Sequence, residues 1–372
     1  MKNVAVIFGG KSVEHDISII TALQAMKNFP KQFNLIPIYI QNDGRFVYSK
    51  EFCNGETFVN FDKKHIKKLE ITFNLGEGSI NFNKKNKTKK IEKIDCALLC
   101  NHGHGGEDGS LQGLLELAEI PYTSSSVASS AVTMDKILTK IMLINEDIST
   151  PAYVHFCKDE YEKNKEKILK NIKDKINFPC ITKPSRLGSS VGINICENED
   201  MLKKAIENAL MFDNKIIVEK FIKNAKECAL AVIKTNGKYI ESEIQQINKD
   251  SFYTFEDKYL KNKESEKEKL SKSIVNEIKK IGTNVCKLLD TEGVVRVDFL
   301  IDENDKIFVN EVNSIPGSLA FNLFKTKFED LLTVLVNEAI KEFNSRQKLN
   351  YKFNSNAIET YLKMSKNIKC SK

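Results

Sequence analysis

Two stretches near the end of the chain alternate apolar and polar residues, which is the pattern of half-buried β-strands. In residues 295–301 (VRVDFLI), the odd-numbered residues, all apolar, point one way, and Arg296, Asp298 and Leu300 point the other. Residues 307–313 (IFVNEVN) form the second stretch, and its odd-numbered residues, including Glu311 and Asn313, are predicted to share one face. The polar DEND sequence between the stretches favours a turn, so the pattern predicts a hairpin.

The length of the turn sets which residues of the hairpin face each other. We predict a four-residue loop over residues 303–306, which pairs Asp302 with Ile307 and places Asp298 opposite Glu311. Directly opposed side chains have Cβ atoms about 5 Å apart. Two carboxylates at that distance repel unless a cation lies between them.

The same register places Arg296 opposite Asn313. Asp298, Glu311 and Asn313 offer only oxygen ligands, which suit Mg²⁺ bound together with phosphates. Arg296 would donate to an anion or to a developing oxyanion. The hairpin therefore predicts a metal and phosphate site, and the alternative is an exposed hairpin with a salt bridge.

The N-terminal half shows buried strands followed by glycine-rich turns. Residues 3–8 (NVAVIF) predict a strand that leads through residues 9–12 into a helix from about Val13, with Glu14 in its first turn. A strand, a glycine turn and a helix start together make a backbone ligand site. For Glu14 alone, complementing the helix dipole is the simpler role. Residues 33–40 predict a second strand.

A further apolar run, residues 94–100, is followed by NHGHGGEDGSLQGLLE, residues 101–116. Ligands bind at the carboxyl ends of strands in open α/β sheets, so His102 is a candidate site residue, although a structural histidine is equally compatible with this pattern. The stretch is not a Walker A loop, because no Gly-Lys-Ser/Thr follows. Residues 41–93 give no clear pattern, and the charged run Lys84–Lys90 predicts a hairpin loop or insertion.

The middle of the chain predicts a second α/β unit. A strand near 152–156 and a charged helix near 159–175 precede residues 178–196, which read as strand, glycine-serine loop and strand. Lys183 ends the first strand, and such a loop can fold over phosphates as a lid. An ordinary hairpin turn is the alternative. The donors in this loop are Arg186, Ser189 and Ser190.

Glu219 and Lys220 lie in a predicted strand over residues 216–222, and Glu227 opens the next strand. A carboxylate and backbone groups at such a junction suit a purine and a ribose. Residues 251–260 (SFYTFEDKYL) predict a loop that bears Lys258 and Tyr259. The remaining predicted elements are a strand at 238–247 and helices near 199–211, 267–289 and 329–343.

Composition narrows the class of protein. The chain has 372 residues, of which 41% are hydrophobic, so we expect two or three globular domains. No apolar run reaches membrane-spanning length. Nine scattered cysteines without a CxxC pair or a secretion signal indicate a cytoplasmic protein. The net charge is +7, but the chain lacks nucleic-acid-binding signatures, so we expect no nucleic acid partner.

Seven motifs together resemble the D-alanine–D-alanine ligase family of the ATP-grasp superfamily. They occur in the family's order over about residues 1–345 and are specific as a set. The motifs are GGKSVEHDIS at 9–18, HGHGGEDGSLQG at 102–113, MDK at 134–136, KPSRLGSSVG at 183–192, EK at 219–220, KY at 258–259, and RVDF with NEVNSIPG at 296–317.

This resemblance implies an α/β fold with three domains: an N-terminal α/β domain with a parallel sheet and two α+β domains that enclose ATP. The implied limits are 1–120 for the substrate domain, 121–213 for the central lid domain and 214–345 for the metal-binding domain. Residues 346–372 would be a peripheral tail. Members of the family are often dimers, which implies a homodimer.

The resemblance also implies a reaction and a set of site residues. A first D-alanine would take the γ-phosphoryl group of ATP to give an acyl phosphate, which the amine of a second D-alanine then attacks, supplying peptidoglycan precursor synthesis. Asp298, Glu311 and Asn313 would hold two Mg²⁺ or Mn²⁺ ions. The implied nucleotide-binding residues are Lys136, Lys183, Glu219, Lys220, Glu227, Phe252, Lys258 and Asn310.

Five residues would act on the amino acids and the intermediates. Glu14 would pair with the ammonium of the first D-alanine, joined by Ser189 and Tyr259 in a hydrogen-bonded triad that ties the lid to the N-terminal domain. Arg296 would face the tetrahedral intermediate of the second step. His102 would lie near the carboxylate of the first substrate.

The sequence departs from the family in places that bear on the acceptor. Asn322 stands where another branch has a serine that binds the second substrate's carboxylate. The alternatives are therefore the same fold with D-lactate or D-serine as acceptor, an ATP-grasp kinase that stops after phosphoryl transfer, and a nucleotide-binding module without catalysis. The full hairpin set argues against the last.

Overall fold

The computed structural model describes residues 1–59, 61, 66–247, 270–351, 353 and 355–367. Residues 1–340 form one compact unit and residues 341–372 form a second. The first unit contains three β-sheets among its described residues. The limits expected for the three domains and the tail stay a prediction.

The first sheet has seven strands in the order β6-β5-β4-β3-β2-β1-β7. Its strands β1, β2 and β7 pair in parallel, because these three apolar runs can be buried on both faces. The parallel N-terminal sheet is thus confirmed for these strands. The bounds are β1 Lys2–Gly9, β2 Phe33–Ile40, β3 Phe46–Tyr48, β4 Leu69–Asn74, β5 Ser79–Lys84, β6 Lys87–Lys93 and β7 Cys96–Leu99.

Residues 41–93, which the pattern left unassigned, extend this sheet with antiparallel strands β3 to β6. The charged run at its edge is a hairpin, as predicted. Lys85 and Asn86 form the turn, and both have positive φ, which suits a tight connection between β5 and β6. The exposed lysines on β6 leave a charged edge, which discourages further strand pairing.

Two antiparallel four-stranded sheets follow, in the orders β10-β9-β11-β8 and β13-β12-β14-β15. The strand–loop–strand reading of residues 178–196 is confirmed, because β9 and β10 pair antiparallel. The bounds are β8 Tyr153–Cys157, β9 Cys180–Pro184, β10 Asn194–Cys196, β11 Lys215–Lys220, β12 Lys226–Thr235, β13 Lys238–Ile247, β14 Val294–Ile301 and β15 Ile307–Asn313.

Helices cover the sheets and make three hydrophobic cores, one for each sheet. Every cysteine in the described part of the chain is a free thiol, as expected. No helix among the described residues is long and apolar enough to span a membrane. The bounds are α1 His15–Lys27, α2 Ser110–Leu117, α3 Val127–Met134, α4 Lys136–Asn145, α5 Lys158–Lys175, α6 Glu199–Ala209, α7 Lys272–Leu288, α8 Phe328–Arg346 and α9 Ala357–Asn367.

The hairpin of β14 and β15 has the predicted partners at the site but not the predicted turn. Asp298 lies opposite Glu311, and Arg296 lies opposite Asn313, as expected. At the other end, however, Ile307 pairs with Ile301 rather than with Asp302. The loop is therefore one residue longer than predicted, and a bulge restores the register.

The bulge falls in β15 at Asn310, the residue without a cross-strand partner. It corrects the predicted alternation of this strand. Ile307, Val309 and Val312 are buried, whereas Glu311 and Asn313 are only partly buried. Without the bulge, the last two would point into the hydrophobic core, so one extra residue turns the polar end of β15 towards the site.

Candidate functional site

One pocket brings together residues that are far apart in the sequence. It lies between the N-terminal sheet, the β9–β10 loop and the β14–β15 hairpin. The loop covers one side of it, which favours the lid over the ordinary hairpin turn. The lining residues are Glu14, Glu107, Thr133, Met134, Lys136, Thr139, Leu187, Gly188, Asn310, Glu311, Val312, Asn313 and Ser314.

Glu14 joins the N-terminal sheet to the loop. It is the N-cap of α1 rather than a first-turn residue, and its side chain makes no capping hydrogen bond. Instead, the Ser189 hydroxyl donates to Glu14 Oε1 at 2.5 Å. Glu14 can still complement the dipole of α1 from this position, and the Ser189 contact of the predicted triad is present as well.

Two glycines allow the close approach of both loops to Glu14. A Cβ atom on Gly188 would lie 2.8 Å from each Glu14 carboxylate oxygen, and one on Gly103 would lie 2.7 Å from Oε2. Any larger residue at either place would displace the carboxylate. These two glycines shape the binding site around Glu14.

Lys136 begins α4, the helix that Asp135 caps with hydrogen bonds from Ile137 and Leu138 N–H. The buried Lys136 ammonium donates to the Leu187 carbonyl oxygen at 2.6 Å and lies 3.7 Å from Glu311. A lysine between the lid and the carboxylate of the hairpin can hold a phosphate as a point charge. Lys136 lines the pocket, and its role towards ATP stays a prediction.

Lys183 lies on β9 and connects the pocket wall to the interior of the sheet β10-β9-β11-β8. Its ammonium donates to Asn310 Oδ1 at 3.1 Å and to Glu219 Oε2 at 2.8 Å. The other oxygen of Glu219 lies 3.2 Å from the ammonium of Lys140, a residue that the sequence analysis did not single out. Burial raises the pKa of Glu219, but the charges of Lys140 and Lys183 outweigh this and hold it below its usual value.

On the hairpin, the Arg296 guanidinium binds both oxygens of Asp298, at 2.7 and 2.8 Å. Asn313 Nδ2 donates to Asp298 Oδ2 at 3.1 Å. The salt bridge that was the alternative interpretation is therefore present, alongside the predicted cluster of oxygen ligands.

The residues of this hairpin suit a divalent cation that arrives with phosphate. Among the described residues, no three His, Cys, Asp or Glu side chains group as a metal site. Two carboxylates and one amide are fewer ligands than a full protein cage, which is typical of Mg²⁺ bound through phosphates. Asp298 would exchange the Arg296 guanidinium for the cation, so the donor set fits.

Other predicted residues do not line this pocket. The buried His102 contacts the Thr21 hydroxyl at 2.8 Å, and burial lowers its pKa to about 4, so the imidazole is neutral at neutral pH. Lys220 directs its ammonium to the Ile176 carbonyl oxygen at 3.2 Å. Glu227 is the second residue of β12. Burial lowers the pKa of Lys183, but the charges of Glu219, Glu311 and Glu227 outweigh it and raise that pKa.

The lid loop is anchored at its start. Arg186 was predicted as a hydrogen-bond donor in the loop over the phosphates. In the structure it binds Asp213, with its guanidinium at 2.6 Å and with its backbone N–H at 2.8 Å. Asn322, in the 3-10 helix Gly317–Leu323, is exposed. Phe252, Lys258 and Tyr259 lie outside the described residues, so their roles stay predictions.

The pocket also contains Glu107, which sequence reasoning missed. Its two carboxylate oxygens accept hydrogen bonds from the backbone N–H groups of Gly103 at 2.7 Å and Ile315 at 3.2 Å. Burial, and then the nearby charge of Glu14, raise the pKa of Glu107 to about 8. The acidic pair in HGGEDG could have identified Glu107 from the sequence, because a carboxylate inside a glycine-rich turn is a candidate for hydrogen bonds with backbone N–H groups.

We expect Glu107 to make stability depend on pH. Its pKa rises from 4.5 to about 8 on folding, so between these values the folded chain holds a proton that the unfolded chain releases. The free energy of unfolding should therefore fall as pH rises through this window, by on the order of a few kcal/mol. Urea unfolding at pH 5, 6, 7 and 8 measures the slope.

The matched variant is Glu107→Gln, which cannot titrate. It should be less stable than the wild type at pH 5, because one amide oxygen cannot accept from both N–H groups. Its stability should nevertheless fall less between pH 5 and 8. Equal slopes for the two proteins would contradict the assignment.

Comparisons with known proteins agree with the geometry. The family model described as the D-ala D-ala ligase N-terminus matches residues 3–125, and the one described as the D-ala D-ala ligase C-terminus matches residues 142–333. The D-alanine–D-alanine ligase of Thermosipho melanesiensis is 37% identical over 359 residues, covering 93% of this chain and 96% of that protein. The Staphylococcus carnosus D-alanine–D-alanine ligase is 33% identical, with 94% and 99% covered.

Solved structures are similar over almost the whole chain. The D-alanine–D-alanine ligase from Coxiella burnetii has a TM-score of 0.80 at 26% identity, covering 98% of this chain and 99% of that one. The VanG D-Ala:D-Ser ligase from Enterococcus faecalis has a TM-score of 0.76 at 27% identity, covering 91% of this chain and 99% of that one. The two matching family models and these relatives show that the chain belongs to the D-alanine–D-alanine ligase family.

Proposed function

We propose that the chain joins two D-alanine molecules in an ATP-dependent reaction and so supplies peptidoglycan precursors. The observation that carries this proposal is the pocket itself. It brings together the carboxylate of Glu14, which would bind an amine, the ammonium of Lys136, which would bind phosphate, and the acidic hairpin residue Glu311. A ligase that activates an amino acid with ATP needs all three in one enclosed space.

Activation of the first substrate follows from this arrangement. Glu14 binds the ammonium of the first D-alanine, which directs the carboxylate towards the γ-phosphoryl group. Lys136 and Lys183 hold the phosphate oxygens. Asp298, Glu311 and Asn313 would hold Mg²⁺, which when bound would supply positive charge to neutralise the phosphates. Transfer of the γ-phosphoryl group to the carboxylate oxygen gives D-alanyl phosphate and ADP.

Bond formation takes place behind the closed loop. The free amine of the second D-alanine attacks the acyl carbon of D-alanyl phosphate, and Arg296 stabilises the oxyanion that forms. Collapse of the tetrahedral intermediate expels phosphate and leaves D-alanyl-D-alanine. The contact of Ser189 with Glu14 keeps the loop closed, which excludes the water that would hydrolyse the acyl phosphate.

The decisive experiment incubates the full chain with ATP, Mg²⁺ and D-alanine. We expect ADP release and D-alanyl-D-alanine by mass spectrometry, none of either with L-alanine, and loss of both when a chelator removes Mg²⁺. ADP without dipeptide would indicate a kinase, and binding of ATP without turnover would indicate a binding module. Either result overturns the proposal.

Acceptor choice is tested in the same assay by competition. We expect dipeptide to dominate over products of D-lactate or D-serine at pH 7, with activity rising towards alkaline pH as the acceptor amine loses its proton. Tyr259 carries this expectation, because a phenol with an ordinary pKa of about 10 is neutral there and does not repel an ammonium. A depsipeptide as the main product at pH 7 would select the D-lactate alternative.

A further inference from the structure

A buried cluster of three charged residues lies behind the pocket wall. Asn310, in the pocket, contacts Lys183, which contacts Glu219, which contacts Lys140. The two ammonium groups divide the carboxylate between them, one on each oxygen. The side chains of Lys140 and Glu219 are each 1% exposed, and that of Lys183 is 6% exposed.

The two lysines of this cluster are not equivalent. Lys183 has a second oxygen partner at the pocket, Asn310, and feels the charge of Glu311. Lys140 lies deeper, with Glu219 as its ion-pair partner and the Tyr153 ring 6.0 Å away. Lys183 can therefore turn to an anion in the pocket, whereas Lys140 is held in the interior.

Burying an ammonium group is costly unless an anion compensates it. Two lysines share one carboxylate here, at the wall of a site proposed to receive phosphates. Burial lowers the pKa of Lys140, and the charge of Glu219 opposes that effect. When Lys183 turns to a phosphate, Glu219 loses the partner of Oε2. Without Lys140, the carboxylate would then be buried with no cation beside it.

We propose that Lys140 is a positioning residue for the nucleotide: it holds Glu219 as a fixed, charged hydrogen-bond acceptor after Lys183 moves to the phosphates. The freed Oε2 then accepts from the 6-amino group of adenine. This inference rests on the proposed use of ATP and adds a residue that does not itself touch the substrate.

The variant Lys140→Met tests this role, because methionine is unbranched, of similar length and uncharged. Lys183 still pairs with Glu219 in the absence of nucleotide, so we expect the variant to fold. The KM for ATP should rise about tenfold or more, which is the scale of one hydrogen bond to a charged group. The kcat and the KM for D-alanine should stay within about threefold.

Comparison of ATP with ITP distinguishes a role of Lys140 in positioning Glu219 from a general loss of structure at the nucleotide site. ITP has a carbonyl oxygen in place of the 6-amino donor, so a charged Glu219 discriminates against it. We expect the preference for ATP over ITP in kcat/KM to fall about tenfold in Lys140→Met. A structural role would weaken both nucleotides equally, and an unchanged preference would overturn the proposal.

Two controls complete the design. Lys158→Met removes an exposed lysine that pairs with Glu162 on α5, and should leave all constants unchanged. In a Glu219→Gln background, Lys140→Met should cause little further change in the ATP preference, because both act through one carboxylate. Additive losses in this double-mutant cycle would contradict the inference. If Lys140→Met alone is unstable, Glu219→Gln is compared directly with the double variant, and a further loss of about tenfold in the ATP preference would overturn the inference.

Equilibrium binding keeps this inference separate from the proposed reaction. ATP and ITP can be titrated into the wild type and Lys140→Met by calorimetry without D-alanine. If the wild type binds ATP but makes no dipeptide, the proposed reaction fails while the role of Lys140 is still measured. If the wild type binds ATP and ITP equally, the role of Lys140 is wrong whatever the reaction.

Discussion

Replacing Glu311 with glutamine is expected to lower kcat at least about a hundredfold while the chain stays folded. The change removes one negative charge from the pair of opposed carboxylates, Asp298 and Glu311, and keeps the size of the side chain. Loss of a metal-binding charge at a phosphoryl-transfer site costs several kcal/mol of transition-state stabilisation. It also removes the partner of Lys136 at 3.7 Å, which leaves that lysine less well placed.

The measurement is ADP release at saturating D-alanine over a range of Mg²⁺ concentrations. The matched control is Glu303→Gln, in the turn of the same hairpin, where the carboxylate accepts from Asn224 at 2.6 Å and an amide oxygen can do the same. We expect wild-type activity from this control. Activity of Glu311→Gln above about a hundredth of the wild type would mean that Glu311 is not a metal ligand.

The second large effect is expected for Glu14→Gln, which should raise the KM for the first D-alanine about 10- to 100-fold. The carboxylate is 6% exposed, so an ammonium bound to it is shielded from water and the ion pair is strong. Glutamine can still accept the Ser189 hydrogen bond, so the lid contact is largely kept. The KM for ATP should change little, because Glu14 is not placed at the phosphates.

Ser189→Ala gives the complementary result. It keeps the charge of Glu14 but removes the hydroxyl that donates to it, so we expect a smaller rise in the same KM, about 3- to 10-fold. Glu146→Gln, an exposed position at the end of α4, is the control and should have no effect. A larger defect in Ser189→Ala than in Glu14→Gln would show that loop closure, and not the charge, dominates substrate binding.

The local pattern of apolar and polar residues was sufficient to predict most of the strands and helices. Apolar runs such as residues 3–8 and 94–100 predicted buried strands, since a strand buried on both faces needs continuous apolar residues. The structure pairs the strands of these runs in parallel, as the family resemblance implied. Residues 178–196 were read as strand, loop and strand, because glycine and serine interrupt two β-rich runs. Residues 41–93 were not readable, because their antiparallel strands are short and partly polar.

The hairpin of β14 and β15 has two features that the local sequence pattern did not predict, its loop length and its bulge. The sequence identified Asp298 and Glu311 as a pair, but from a four-residue loop and a regular second strand, and neither of these is what the structure has. A loop of one more residue and a bulge at Asn310 give the same partners at the site. Strand alternation is a local rule, whereas a bulge is selected by packing of Val309 and Val312 into the core, which the sequence alone does not express.

The sequence by itself determined which residues have the chemistry for this reaction and in which order the strands and helices carry them. Only the tertiary structure decided which of them meet. The contact between Glu14 and Ser189, the raised pKa of Glu107 and the sharing of Glu219 by Lys183 and Lys140 all join segments far apart in the chain. Desolvation and charge pairing depend on such distant neighbours, so no pattern of nearby residues could reveal them.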